Sequence, residues 1–116
     1  LVSFFTPDVE FFLDFPVDLG GKQQIGISAY KQQLEQSWLI PGEHSSKLEN
    51  VKIKLSEDKK SALVTATAVE ALRIKGKLIM QGRTDEKMTV VIHQGKAKIS
   101  RMEAQLDPKS LYLGQN

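Results

Sequence analysis

Residues 78–92, LIMQGRTDEKMTVVI, alternate in side-chain character over an unusual length. The even-numbered positions are mainly apolar and the odd-numbered ones mainly polar, which is the period of a half-buried β-strand. Glu86 is the exception, a charge in the apolar set, and its neighbours Asp85 and Lys87 indicate that it is exposed. Gly82 in mid-strand predicts a bulge or a strong bend. The pattern therefore predicts one long strand.

Further strands are predicted on both sides of this one. Residues 51–55, VKIKL, alternate cleanly. Residues 61–72, SALVTATAVEAL, are apolar enough on both faces to form a central strand. A last strand is expected over residues 97–106, and the intervening turns are polar or contain glycine, at residues 56–60, 73–77 and 94–96. With a helix early in the chain, four consecutive strands predict the α+β class.

The N-terminal segment has two interpretations. Thr6 could cap a helix with Pro7 at its first position. Alternatively, a short helix ends at Phe5, the chain turns, and a strand follows. The apolar residues on one face of that strand are Val9, Phe11, Leu13 and Phe15. Because the segment alternates and is rich in Phe, the strand is favoured.

A loop and a helix follow this strand. Pro16 and the Gly20-Gly21 pair indicate a loop over residues 16–21. A helix is predicted from about Ser28, a suitable N-cap, to Leu39. Its apolar positions recur at helical spacing and are Ile27, Tyr30, Leu34 and Trp38. Pro41-Gly42 would end the helix and leave His44 in a polar loop.

The composition excludes several classes of function. The chain has 116 residues, which fits one domain over residues 1–116, and its formal charge of +2 argues against nucleic acid as a partner. No apolar run reaches the length of a membrane span. Cysteine is absent, and two distant histidines do not make a metal site. No phosphate loop or other cofactor motif is present, so no cofactor is expected. The compartment stays open between cytoplasmic and extracytoplasmic, with an export signal before Leu1 favouring the latter.

Three segments resemble the nuclear transport factor 2-like and SnoaL-like superfamily, whose members have a cystatin-like α+β cone. Residues 1–11, LVSFFTPDVEF, resemble its opening helix, turn and strand. Residues 26–34, GISAYKQQL, are similar to its Gly-led third helix, and residues 93–99, HQGKAKI, to its last hairpin. The resemblance implies a strongly curved antiparallel sheet wrapped around helices and a pocket. The long first helix of the family is missing from this sequence, which starts at what resembles the second helix.

The resemblance makes Asp14 a candidate general base, because ketosteroid isomerase carries its Asp base just before a Pro at the end of the first strand. The spacing here differs by one residue, which reverses the facing in a strand and favours a solvated Asp14. Glu70 lies in the most apolar strand, and if it is buried there it would act as an acid or base. The favoured interpretation is that it lies at the strand end and reaches water or pairs with Arg73 or Arg101. A dyad of His93 with Asp14 is a further candidate, although surface positions are favoured for His44 and His93.

Two classes of function remain. The favoured one is a non-catalytic domain that binds a small apolar ligand in the cone, pairs through its sheet as a homodimer, or both. The alternative is a small isomerase, dehydratase or hydrolase that uses Asp14 or Glu70 with His93 or Tyr30. The residues expected to line the ligand pocket are Phe11, Leu13, Tyr30, Leu34, Trp38, Met80 and Met88. The residues expected at the dimer interface are Leu63, Thr65, Thr67 and Val69.

Overall fold

The computed structural model describes residues 2–113, with all their side chains except those of Val2, Leu19 and Trp38. Leu1 lies outside the described residues. The elements, in chain order, are β1 (Phe5–Asp14), β2 (Lys22–Ile25), α1 (Ile27–Trp38), β3 (Glu43–Leu55), β4 (Ser61–Ile74), β5 (Lys77–His93), β6 (Lys96–Leu106) and β7 (Tyr112–Leu113). Single 3₁₀ turns are formed by Val2–Phe4, Val17–Leu19 and Pro108–Ser110.

The strands form one curved sheet in the order β2-β1-β6-β5-β4-β3, with β7 added beside β5. Strands β3 to β6 are consecutive antiparallel neighbours, whereas β1 pairs with β6 in parallel. Within residues 2–113, α1 is the one α-helix, and no helix has both the length and the apolar character needed to cross a membrane. The α+β class predicted from the sequence is confirmed.

Strand β3 begins at Glu43, eight residues earlier than predicted, so His44 lies in a strand and the predicted polar loop is wrong. This half of β3 is an edge strand exposed on both faces, and backbone pairing with β4 holds it without an apolar pattern. A bulge at Asn50 separates it from the alternating half. Asn50 has φ 55°, a left-handed conformation that Asn adopts more readily than most residues.

The predicted bulge at Gly82 is also wrong. Gly82 pairs regularly with Glu70, and the irregularity lies between Leu72 and Arg73 instead. A Cβ at position 82 would come within 3.1 Å of the Leu106 side chain. The glycine therefore serves close packing of the chain's C-terminal segment on β5.

The N-terminal region is strand, as favoured, and the short helix before it ends at Phe4. The turn predicted after Phe5 is wrong, because β1 continues through residues 6–8 with a register shift against β6. The short strand β2 was not predicted. Helix α1 starts at Ile27 after an extended Gly26, so Ser28 is not its N-cap.

The sheet has two distinct faces. The helix face carries Phe11, Met102, Met88 and Val64, which oppose one another along one row across four strands. The outer face carries the alternate positions, such as Phe12 and Lys87. Helix α1 packs on β1, and the fully buried core lies between them, made of Phe5, Val9, Phe11, Leu13 and Ala104.

Strands β3, β4 and β5 extend beyond this core. The radius of gyration is 15.5 Å and the longest extent is 53 Å. A compact chain of this length would have a radius of gyration of roughly 13 Å. The outer part of the sheet therefore has a large surface for its mass, and most of β3 is exposed.

Candidate functional site

Tyr30 reaches from α1 onto the helix face. Its ring stacks on Phe11 with 3.9 Å between centroids and lies edge-on to Phe5 at 6.1 Å. Burial raises the pKa of the Tyr30 hydroxyl, and the negative charges of Glu86 and Glu70 raise it further. The sequence placed Tyr30 on the inner face of the helix, and the structure puts its hydroxyl near two carboxylates.

Glu86 is half-buried on the helix face, so the expectation that it is exposed is wrong. It stands directly between Ala66 of β4 and Ala104 of β6, whose side chains are small. Burial raises the pKa of Glu86, and the charge of Glu70 adds to the shift. No ion pair or hydrogen bond to the Glu86 side chain occurs within residues 2–113. An uncompensated, half-buried charge costs stability and is typical of functional sites.

Glu70 shares the helix face with Ala68 and Leu72, as predicted, and it is exposed, which agrees with the favoured interpretation. Among the described side chains it has no ion pair, so the suggested pairing with Arg73 or Arg101 is not formed. Arg101 instead lies over the ring of Phe12, 4.0 Å from its centroid.

Asp14 and His93 lie far apart on the outer face, so they form no dyad. Asp14 is in the row of Gln105 and Asp85, whereas His93 is the last residue of β5 and pairs with Lys96. Eight residues of β5 separate the two rows, roughly 26 Å at about 3.3 Å per residue. His44 Nε2 donates to the Ile40 carbonyl oxygen at 2.9 Å. Among the described residues, no cluster of three or more His, Asp or Glu side chains could hold a metal ion.

The residues predicted to line a ligand pocket have different environments. Phe11 and Leu13 are buried in the core, and Leu34 is half-buried on α1. Met88 lies in the row of Phe11, but Met80 is at the other end of β5, opposite Leu72 and Leu113. The side chain of Trp38 lies outside the described atoms. The structure thus brings Phe11, Leu13 and Tyr30 together, places Met88 two strands away in the row of Phe11, and leaves Met80 apart.

The outer face carries an open groove of about 600 Å³ that the sequence did not reveal. It runs across the strands between two rows of side chains. Its lining includes the charged residues Asp14, Lys22, Lys52, Asp85, Glu86, Lys87 and Glu103. The side chain of Glu86 is on the helix face, which leaves three charges of each sign on the outer face. Thr65 and Thr67 also line it, with Thr67 donating to Asp85 at 3.2 Å. The groove could be found only once the strand register was known, because it combines residues of six strands.

The four predicted interface residues share this outer face on β4. Leu63 is exposed, Thr65 and Thr67 are half-buried, and Val69 is buried. Charged residues of β3 and β5 flank them: Lys54 opposes Leu63 and Arg83 opposes Val69. The face therefore combines a little exposed apolar surface with many charges.

No family model and no curated protein matches the sequence. Solved structures do match the fold. An NTF2-like protein of unknown function from Pseudomonas putida KT2440 has a TM-score of 0.69 and 11% identity, covering 98% of this chain and 78% of that one. An NTF2-like protein with a cystatin-like fold from Novosphingobium aromaticivorans has a TM-score of 0.69 and 12% identity, covering 93% and 70%. The CaMKII hub of S. rosetta has a TM-score of 0.67 and 14% identity, covering 90% and 78%.

These comparisons identify the fold of this chain as the nuclear transport factor 2-like, cystatin-like α+β fold. The resemblance found in the sequence is confirmed at the level of the fold. Identities of this size carry no information about activity, so the function must be argued from the surfaces and side chains of the chain itself.

Proposed function

We propose that this chain is a non-catalytic association domain that pairs with a second copy of itself through the outer face of its sheet. The observation that carries the proposal is the groove on that face, which no helix of residues 2–113 covers and whose charges are balanced in sign. In a two-fold arrangement the same surface meets itself, so a face with both signs of charge can set acidic against basic side chains.

The size of the face suits a dimer. The five long strands, β1, β6, β5, β4 and β3, span roughly 19 Å at about 4.8 Å spacing, and ten residues of a strand span roughly 33 Å. The resulting area of roughly 600 Å² is of the same order as the 800 Å² or so that each partner buries in a standard interface. The elongated shape supports the same conclusion, because an extended sheet gains more burial from a partner than a compact domain does.

Three of the four predicted acid–base pairs are separated, which supports a non-catalytic role, and Glu70 with Tyr30 is the pair that shares a face. Asp14 and His93 are on the outer face, and Glu70 and Tyr30 are on the helix face. A general acid–base mechanism requires such groups to converge on one substrate. One of the similar structures is a kinase hub, and for this chain we propose an association role of the same general kind.

Sedimentation equilibrium tests the proposal. We expect a dimer at micromolar concentration that Leu63→Asp converts to a monomer, because a charge would enter the interface. Ile53→Asp is the matched control, since Ile53 lies on the neighbouring strand but on the helix face. A monomer at high micromolar concentration, or equal effects of the two substitutions, would refute pairing through the outer face.

A second candidate is the binding of a small, mainly apolar molecule on the helix face beside Tyr30 and Glu86. The unpaired, half-buried carboxylate of Glu86 favours it. An acid–base reaction there would use Glu86 and Tyr30, because Asp14 is on the opposite face. NMR titration with a panel of small apolar ligands tests this: shifts confined to Ala66, Met88 and Ala104 would support it. If no ligand of the panel shifts those signals, this second candidate function is excluded.

A further inference from the structure

Strand β3 has a free edge. It is the last member of the strand order β2-β1-β6-β5-β4-β3, and among the described strands it pairs with β4 alone. It is 13 residues long, and nearly every position in it is exposed. The edge of such a strand presents unpaired backbone N–H and C=O groups, to which another extended chain can bond. This edge is therefore a candidate interaction surface that is separate from both faces of the sheet.

The bulge at Asn50 divides the edge into two segments. In the first segment, Lys47 and Glu49 form an ion pair within the strand, with 3.1 Å between Lys47 Nζ and Glu49 Oε1. In the second segment, residues 51–55, the chain pairs with β4 in regular register from Lys52 onward. The second segment thus has the regular geometry that a further strand needs.

The backbone groups that point to the free edge of this segment belong to Ile53 and Leu55. Ser56 N–H donates to the Ser61 carbonyl oxygen at 2.9 Å, so these two residues form a hydrogen-bonded pair of the ladder. Such pairs alternate along an antiparallel ladder, so the even-numbered residues of the segment bond to β4 and the odd-numbered ones do not. A strand added at the edge would therefore exchange backbone hydrogen bonds with Ile53 and Leu55.

Lys52 and Lys54 give this edge its charge. Both are exposed and lie opposite Thr65 and Leu63 of β4, which carry no charge. Neither lysine has an ion pair within residues 2–113. In an added strand, the residues opposite these lysines would occupy non-hydrogen-bonded positions, where opposed side chains come closest together. Carboxylates at those two positions would each form a cross-strand ion pair.

We propose that the edge of β3 at residues 51–55 binds an extended acidic segment of a partner protein as an additional antiparallel strand. Backbone hydrogen bonds to Ile53 and Leu55 supply the affinity, and carboxylates opposite Lys52 and Lys54 select a sequence with an acidic residue at every second position. Edge lysines hinder the pairing of two like edges, but they favour a strand of opposite charge. The added strand lies beside the sheet and not on it, so its binding does not depend on pairing through the outer face.

A second copy of β3 is a poorer occupant of this edge. Two-fold antiparallel pairing centred on Ile53 sets Lys52 opposite Lys54 of the second copy, twice in each dimer. Pairing centred on either lysine sets that lysine opposite itself. Like charges directly opposite one another destabilise a strand pair. A partner strand of opposite charge has no such conflict.

The test uses a fluorescein-labelled peptide of about nine residues in which Thr and Glu alternate, a length within the usual range of strands. Fluorescence anisotropy measures its affinity for the whole chain. In the added strand, the Thr N–H groups face β3 and the Glu N–H groups face away from it. N-methylation of the Thr residues should therefore weaken binding roughly tenfold or more, because backbone hydrogen bonds are lost. N-methylation of the Glu residues should leave the affinity unchanged.

Two variants with the same change of net charge locate the contact. Lys54→Glu should weaken the Thr-Glu peptide about fivefold and strengthen a Thr-Lys peptide, because it reverses the cross-strand charge. Lys96→Glu, at the exposed first position of β6, should change either affinity by less than about twofold, since salt screens distant surface charges. Lys54 is preferred to Lys52, which also lines the groove of the outer face. Circular dichroism melting confirms that each variant is folded.

Four results would overturn the proposal. They are no binding of the Thr-Glu peptide, equal losses from the two N-methylation patterns, equal effects of Lys54→Glu and Lys96→Glu, and a loss of the dimer with unchanged peptide binding in Lys54→Glu. The second and third would mean that the positively charged chain attracts acidic peptides without specificity. The fourth would assign Lys54 to the outer-face interface. A monomeric chain that still binds the peptide would refute the dimer and support strand addition.

Discussion

The ring of Tyr30 lies parallel to that of Phe11, with 8° between their planes and 3.9 Å between their centroids. This stack fastens α1 to β1, and Phe5 completes it edge-on at 5.2 Å from Phe11. It is the main aromatic contact between the helix and the sheet in the described part of the chain. The orientation of α1 on the sheet depends on this pair.

Replacing Tyr30 with Ala should lower the free energy of unfolding by about 3 kcal/mol, since a large aromatic side chain is removed from a packed site. Tyr30→Phe keeps the stack and should change the free energy of unfolding by less than about 1 kcal/mol. Urea denaturation followed by circular dichroism measures both. Similar losses in the two variants would mean that the hydroxyl, and not the ring, holds the helix.

Glu86→Gln should stabilise the chain at neutral pH. Burial raises the pKa of Glu86 above its ordinary value near 4.5, so the folded state retains a proton that the unfolded state has lost. The stability contributed by this group therefore falls as the pH rises from that value through the raised pKa, and stays low above it. The neutral amide removes this dependence. We expect Glu86→Gln to raise the free energy of unfolding by on the order of 1 kcal/mol at pH 7, and we expect this difference to vanish near pH 4.

Denaturant titrations of both proteins at several pH values give the comparison. The difference between them isolates position 86 from the other carboxylates. Glu57→Gln, in the exposed turn before β4, serves as the control and should show no such trend. If Glu86→Gln is less stable than the parent at pH 7, the carboxylate has a favourable partner.

The hydroxyl of Tyr30 should titrate at lower pH in Glu86→Gln than in the parent. The negative charge of Glu86 raises the pKa of Tyr30, second only to burial, so removing that charge lowers it. The ¹³Cζ shift of the tyrosine ring, followed by NMR, reports this residue separately from Tyr112. An unchanged titration would show that burial alone accounts for the shift.

Two hairpin turns have residues with an unfavourable backbone conformation. Lys75 and Gln94 have φ values of 52° and 51°, and each is followed by a glycine with positive φ. Asn tolerates this geometry better, and Asn-Gly is the preferred pair for such turns. Lys75→Asn and Gln94→Asn should each raise the free energy of unfolding by roughly 0.5 kcal/mol. Thermal melts measure the gain, and Lys59→Asn, at φ 58° in a different turn, offers a comparison.

The sequence predicted the strands with a clear apolar pattern. Strand β5 and the second halves of β1 and β3 were found because the period of two is visible, and β4 was found because both of its faces are apolar. Strand β2 and the first half of β3 were missed because edge strands exposed on both faces need no apolar pattern. Their pairing depends on backbone hydrogen bonds, which leave little trace in side-chain character.

The environment of Glu86 could not be read from its own neighbours in sequence. Asp85 and Lys87 are exposed, as expected, but they point to the other face. What buries Glu86 is its position between Ala66 and Ala104, twenty and eighteen residues away in the chain. That information exists only once the register of three strands is fixed.

The parallel pairing of β1 with β6 has a consequence for how the chain folds. Phe11 and Leu13 meet Met102 and Ala104, about ninety residues later. The meander β3 to β6 can assemble through successive hairpins. The core around Phe11 cannot form until β6 has been added. If synthesis stops before β6, the apolar side chains of β1 stay exposed to solvent. Because β1 and β6 are far apart in the sequence, their pairing would be slow and would limit the rate of the last folding step.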